Sequence, residues 1–389
     1  MITREFPIDL PQSYSYEYDV NKIVYFDIET TGFSAEMSYL YLMGCIYHKD
    51  SSFHLIQWFS EDIREEALVI TSFFEFLKNY EVLVHYNGAG FDIPYLLRKC
   101  ILLNLNYSFD SIIGIDIYKR ILPYKRLFNL TNYRQKSIEA FLGIKREDVF
   151  DGGDLIPIYQ SYLGKKHIEL LKNARNMVFT DNQMNKETIL AGRKPASESE
   201  MLLGQLLLHN EDDVMGLVLI SPILSYIDLF EKPIRILQAD VEEGQLTISF
   251  ELSVALPVGI SYGKELIYFS AHDNTASLSV PIYEGELKYF YDNYKDYYYL
   301  PEEDTVIHKS LASYVDPNYR KKAKPSNCYT KKSGIFAPQY EVVLTPSFKH
   351  AYQDRLFFIE IHTDFLLRED YLERYVSHIL MHLLTSKTP

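Results

Sequence analysis

One stretch limits the possible folds more than any other. Ile23-Val24-Tyr25-Phe26 is an unbroken apolar run, and it ends in Asp27-Ile28-Glu29. A short run of this kind, followed by a turn such as Thr30-Thr31-Gly32, reads as a buried strand. Residues i and i+2 of a strand project from one face. Two carboxylates at that spacing, at the end of a buried strand, are costly to desolvate unless something positive compensates them. A divalent cation is the natural compensation; a strand end carrying two solvated acids is the plainer alternative.

Around this strand the pattern is α/β. Ser38 to His48 and Phe53 to Phe59 read as two further strands joined by the polar turn Lys49-Asp50-Ser51-Ser52. Glu65 to Asn79 has apolar residues at helical spacing (Ala67, Ile70, Phe73, Phe74, Leu77). Val82 to Tyr86 is a short strand, Ile93 to Leu103 a helix, and Ile112 to Ile115 a strand. Tyr118 to Leu122 and Ser137 to Leu142 read as helices, Lys165 to Ser199 as helix plus loop, and Met201 to Ser225 as a strong helix. The order βββαβαβα predicts a ribonuclease H-like α/β layer. Beyond Pro233 the pattern becomes sheet-rich, with apolar runs at Gln245 to Val254, Glu265 to Ser270 and Ser277 to Tyr283. Turns are expected at Glu243-Gly244 and Asp273-Asn274, and helices at Val306 to Val315 and Arg368 to Leu384. The expected organisation is an N-terminal extension over 1–20, an α/β domain over 21–230, and an α+β C-terminal domain over 235–389.

Composition narrows the setting. The chain has 389 residues, enough for two domains, and is 47% hydrophobic and 24% charged, values of a globular protein. The N-terminus shows no basic start followed by an apolar run, so no signal peptide is expected. Five polar residues, His209 to Asp213, interrupt the most apolar stretch and argue against a membrane span there. Three widely spaced cysteines suit a reducing compartment, and a cytoplasmic location is expected. The net charge of −14 counts against a nucleic-acid binder, which needs a basic footprint. A cage of metal-binding acids is itself acidic, however. The segments Tyr319-Arg320-Lys321-Lys322-Ala323-Lys324 and Tyr329-Thr330-Lys331-Lys332 interleave tyrosine and cation as a single-strand path does. A solvated loop accounts for them equally.

Two further acids complete a constellation. In Asn87-Gly88-Ala89-Gly90-Phe91-Asp92, a Gly-rich turn follows a buried strand and Asp92 stands where a helix begins, with Pro94 at an early helical position. The bland reading of Asp92 is an N-cap. In His209-Asn210-Glu211-Asp212-Asp213-Val214, His209 and Asp213 are i, i+4 neighbours, and Asp213 shares a face with Leu206, Asn210 and Leu217. A charged helix face with a satisfied histidine is the alternative, but a carboxylate on the apolar stripe fits it poorly. Asp116 reads chiefly as the cap of the helix that follows it.

These motifs resemble those of the DEDD 3′–5′ exonucleases, and most closely the YprB-like ribonuclease H-like exonuclease domain family. Asp27 and Glu29 match the first motif, Asn87, Phe91 and Asp92 the second, and His209 with Asp213 the third. Lys136-Ser137-Ile138-Glu139, Leu142-Gly143-Ile144 and Asp116-Ile117 add to the match, which covers about residues 20 to 225. One departure is that the histidine stands four residues before the final aspartate, the spacing at which tyrosine-type members place Tyr. The resemblance implies a three-layer domain with a mixed central sheet. It implies two Mg²⁺ or Mn²⁺ ions held by Asp27, Glu29, Asp92 and Asp213, with His209 as proton acceptor. Thr30, Asn87 and Phe91 would hold the terminal nucleotide of a single-stranded or 3′ end; Phe91 could equally be core. The implied activity is stepwise release of nucleoside monophosphates from DNA or RNA. A structure-specific endonuclease and a non-catalytic binding module are the competing readings.

Overall fold

The computed structural model describes residues 1–11, 14–147, 150, 152–180 and 197–384. The chain divides into two compact units, one formed by 1–122 and 130–224, the other by 123–129 and 225–389.

The first unit is built on a six-stranded mixed sheet. Its strands are β1 (Ile2–Ile8), β2 (Ile23–Thr30), β3 (Leu40–Lys49), β4 (Ser52–Phe59), β5 (Val82–His85) and β6 (Ile113–Asp116), in the order β1-β4-β3-β2-β5-β6. The pairs from β1 to β2 are antiparallel; β2-β5 and β5-β6 are parallel. Ile2–Ile8, expected to be an extension, is the edge strand paired with β4. The helices are α1 (Glu66–Leu77), α2 (Asp92–Leu102), α3 (Ile117–Ile121), α4 (Gln135–Leu142), α5 (Gly152–Thr180) and α6 (Glu198–Ile220). Helix α5 begins before the Lys165 expected from sequence, and the loop expected toward Ser199 falls, over 181–196, outside the described residues.

Strand parity divides the layers. Val24, Phe26 and Ile28 of β2 enter an apolar cluster with Trp58, Phe73 of α1 and Leu96 of α2. On the opposite side Tyr41, Leu42 and Phe59 pack with Leu155, Tyr159 and Tyr162 of α5 and Leu206 and Leu207 of α6. This is the ribonuclease H-like arrangement that the element order predicts, with helices covering both faces of the sheet. Asp27 and Glu29 fall on the face that meets α6. Helix α6 starts in a capping box in which the Ser197 hydroxyl accepts from Glu200 N–H and the Glu200 side chain reaches back. The helical run 198–231 is long and apolar enough to cross a membrane by length and composition, and 67% of its apolar window is buried in the protein.

A buried ion pair braces the turn beyond β2. Lys99 Nζ lies 2.8 Å from Glu66 Oε1 and donates to the Ser38 carbonyl at 2.5 Å, while Glu66 accepts from Leu40 N–H at 2.7 Å.

The second unit begins with α7 (Ser225–Glu231) and a three-stranded sheet of β7 (Arg235–Glu242), β8 (Gln245–Lys264) and β9 (Ile267–Pro281). A four-stranded sheet follows the order β10-β14-β16-β15, and a three-stranded one the order β12-β11-β13. Their strands are β10 (Tyr283–Phe290), β11 (Tyr297–Leu300), β12 (Thr305–His308), β13 (Lys321–Lys322), β14 (Tyr329–Gln339), β15 (Ser347–Phe348) and β16 (Phe357–Glu360). Helices α8 (Thr363–Leu367) and α9 (Glu369–Leu384) close the described chain.

Two expectations fail in this unit. The helix expected over Val306 to Val315 is instead β12 followed by a single 3₁₀ turn at Ala312–Tyr314. The branched run Thr305-Val306-Ile307 pairs with the tyrosines of β11, a pleated surface that suits it better than a helix. The turn expected at Asp273-Asn274 lies inside β9, at a register shift opposite Leu256. The chain reverses instead at Glu265-Leu266, where φ is 54° and 68°. A two-residue hairpin turn needs left-handed backbone, but neither residue is of the Asn or Gly type that announces one.

Candidate metal centre

The site sits on the α6 face of β2. The i, i+2 spacing brings Asp27 and Glu29 to the same side, and α6 presents His209, Asn210 and Asp213 to them. Donor atoms of Glu29, His209 and Asp213 all lie within 4.8 Å of one another. His209 Nε2 is 3.1 Å from Asp213 Oδ2 and 3.6 Å from Glu29 Oε1. Asp27 joins through α6: Asn210 Nδ2 donates to Asp27 Oδ2 at 3.3 Å. Asn210 is wholly buried and its Oδ1 accepts from Gln57 Nε2 at 3.0 Å.

That close approach depends on Gly44, the partner of Asp27 across the β2–β3 ladder. A Cβ at residue 44 would stand 2.0 Å from Asn210 Oδ1 and 2.9 Å from its Cγ. Only glycine lets α6 settle this deep on the sheet.

Asp92 enters from the other motif. It is the first residue of α2, Phe91 holds the N-cap position, and no side-chain cap bond forms there. The N-cap alternative for Asp92 therefore does not describe this structure. Its carboxyl is buried and its pKa is pushed up to about 7 by desolvation, with Asp116 and Asp213 adding to the rise. Burial likewise raises Asp27 well above the usual carboxylate range, with Asp213, Glu29 and Asp92 adding their charge. Asp213 goes the other way: against the pull of burial, His209 and Arg146 hold it low. Buried acids that add to one another's rise mark a candidate functional site.

The turn before Asp92 is held by Asp116. Its carboxylate caps α3 through Lys119 N–H at 3.2 Å, as the sequence suggests. It also accepts from Asn87 N–H at 2.9 Å and Ala89 N–H at 3.3 Å. Asn87 takes a left-handed φ of 58° in this turn. Of the expected nucleotide contacts, Thr30 spends its hydroxyl on the Gly32 carbonyl at 2.8 Å. Phe91 packs partly against the apolar cluster, with the exposed Phe33 ring 5.7 Å away, edge-on.

Three residues escaped the sequence reading. Arg146 donates to Asp213 Oδ1 at 2.5 Å and to Glu139 through Nε and NH2. Gln135 donates to the Asp213 carbonyl at 2.8 Å. Tyr41 lies on the same face, stacked on Tyr159 at 4.2 Å; its buried hydroxyl has no partner among the described residues. Glu139 and Gly143 flagged the segment around Arg146, but no local pattern ties Arg146 itself to α6.

In the second unit the basic cluster is partly neutralised within itself. Lys331 pairs with Asp304 at 2.6 Å and Lys332 with Glu360 at 3.3 Å, and Arg320 lies over the Tyr298 ring at 5.0 Å.

The donor set, carboxylate oxygens with one imidazole, is that of a hard divalent cation such as Mg²⁺ or Mn²⁺. Glu29, His209 and Asp213 are the donors that converge, with Asp27 and Asp92 buried close enough to feel the charge of Asp213.

Residues 24–176 match a family model described as the RNase_H superfamily. Among solved structures, the family B DNA polymerase from the hyperthermophilic archaeon Pyrobaculum calidifontis matches 72% of this chain at 14% identity, with a TM-score of 0.30. The match covers 36% of that chain. No curated protein matches.

Proposed function

The N-terminal unit is a ribonuclease H-like domain, and from that premise we propose that the chain is a divalent-metal-dependent nuclease, a 3′–5′ exonuclease releasing nucleoside monophosphates from DNA or RNA. The convergence of Glu29, His209 and Asp213 within 4.8 Å, with Asp27 tied to the same helix by Asn210, carries the reading. Arg146 and His209 offset part of this charge at Asp213, and bound cations would offset the rest.

Bound divalent ions, two in the proposed mechanism, supply charge neutralisation at the phosphodiester and a water acidic enough to attack at neutral pH. The chain's own groups do the rest. Glu29 and Asp27 sit on a rigid strand, which fixes their separation. Asp116 holds the 87–92 turn and thereby sets Asp92. His209 Nε2 faces Asp213 and Glu29 and donates its proton toward them; in the proposed reaction it would take up the water's proton once bound ions have drawn those carboxylates away. Thr30, Asn87 and Phe91 are proposed to hold the terminal nucleotide. Three buried free cysteines support a reducing, cytoplasmic setting.

The test is a labelled single strand incubated with Mn²⁺. Mononucleotide products that vanish in both Asp27→Ala and Asp213→Ala, with both variants folded, are the expected result. Oligonucleotides cut from a circular substrate point to an endonuclease instead. Activity surviving in both variants refutes the assigned site.

A further inference from the structure

The guanidinium of Arg146, beside the cage, has hydrogen-bonding capacity left over. Its side chain is 11% exposed and its anchor Glu139 is 2% exposed. Nε and NH2 together engage the two oxygens of Glu139, which fixes the side-on edge of the planar fork. The second NH2 hydrogen goes to Asp213 Oδ1. Planarity then decides where NH1 points: its outer N–H runs parallel to the bond that reaches Asp213, on the same edge of the group. Asp213 does not satisfy it, because its other oxygen is turned to His209 at 3.1 Å. NH1 is buried and has no partner among the described residues.

The arrangement is also rigid. Gln135 bonds both Glu139 Oε1 at 3.0 Å and the Asp213 carbonyl at 2.8 Å, so α4 and α6 are stitched together around the arginine. At Gly216 of α6 a Cβ would meet Glu139 Oε1 at 2.3 Å. Glu139 is thus held against the helix that carries Asp213. A buried donor that is left unsatisfied costs about 1–3 kcal/mol. A guanidinium held by Glu139 and Asp213 and still carrying one has a donor to offer to an acceptor that the described residues do not supply.

We propose that Arg146 is a substrate-contacting residue of this site: through NH1 it binds a phosphate oxygen of the nucleic-acid chain held at the Asp213 side of the cage. The inference rests on the nuclease reading above. A guanidinium suits the task because it stays charged and presents parallel N–H groups to a phosphate, so one group can serve Asp213 and the phosphate at once.

The test compares binding of AMP and dAMP, with adenosine and deoxyadenosine as controls, to the full chain in Mn²⁺ by calorimetry. Arg146→Lys keeps the charge but cannot span both partners. Glu139→Gln/Arg146→Gln replaces the ion pair by neutral amides and covers the case in which the lysine variant does not fold. The expected result in the folded variant is Mn²⁺ affinity within about threefold of wild type and monophosphate affinity weakened by about tenfold or more, with nucleoside binding unchanged. Monophosphate binding that is unchanged overturns the proposal. So does a loss of monophosphate that only follows a loss of Mn²⁺, since Arg146 then merely positions Asp213. Wild-type protein that binds Mn²⁺ but neither monophosphate overturns this inference alone; wild-type protein that binds neither metal nor monophosphate overturns the nuclease reading with it.

Discussion

Gly44→Ala is the sharpest perturbation of the seat on which the site is built. The added methyl would lie 2.0 Å from Asn210 Oδ1, so the amide or the helix must retreat by well over an ångström to reach ordinary contact. Asn210 is wholly buried and its oxygen and nitrogen are committed to Gln57 and Asp27, so nothing flexible is available to yield. Overpacking of a tight core costs about 1–3 kcal/mol. Dislodging a buried amide from its partners adds about 1–3 kcal/mol. The sum of about 2–6 kcal/mol corresponds to a fall in Tm of roughly 4–24 °C for a unit of this size. Thermal unfolding followed by circular dichroism reads this directly, and a Mn²⁺ titration reads the accompanying displacement of Asp27. Asn210→Ala removes the atoms that the new methyl meets. In that background Gly44→Ala should therefore cost under about 1 kcal/mol, a strong positive coupling between two residues far apart in sequence. A Gly44→Ala variant melting with the wild type, or a cycle whose terms simply add, would refute the close approach of α6 as the reason for this glycine.

Two other outcomes are expected. Because Asp92 titrates at about 7 when folded, the folded chain keeps a proton there that the unfolded chain has lost from about pH 4 upward; its stabilising contribution is full at low pH and gone above 7. In EDTA the stability of wild type relative to Asp92→Asn should therefore decline from pH 5 to pH 8, and saturating Mn²⁺ should flatten the decline; denaturant melts that show a constant difference in EDTA contradict the crowded cage. The buried histidines His85 and His382, whose lowered pKa values act in the opposite sense, cancel in this comparison. Lys99→Met strands Glu66 beneath the turn after β2 and should lower stability by about 3–5 kcal/mol in urea, with Glu66→Gln/Lys99→Met recovering part of the loss.

The parts of the site that could be read in the sequence are those governed by fixed local geometry. A strand puts Asp27 and Glu29 on one face whatever surrounds it, and a helix puts His209 beside Asp213. The layer order followed from a clean alternation of apolar periods. What was illegible depends on distant partners. Arg146 bonds one residue seven positions back and another on α6. Nothing in its own neighbourhood announces either. The cap formed by Asp116 was visible, but its hold on the 87–92 turn needs the parallel register that sets His85 beside it. Gly44 did leave a trace, since a glycine inside an apolar strand marks a bulge or a close approach. The β12 segment misled because Ile307 and Leu311, four apart, share a face in either period, and pairing with β11 decided the matter.

The location of His209 and Asp213 on the last helix of the first unit has a consequence for biosynthesis. The residues they meet, Glu29 above all, leave the ribosome some 180 positions earlier. A nascent or prematurely terminated chain that stops short of α6 has its strand acids but no lid of donors over them. The centre is therefore completed only by the docking of a segment made late, and a chain truncated before α6 lacks two of the three groups that converge there.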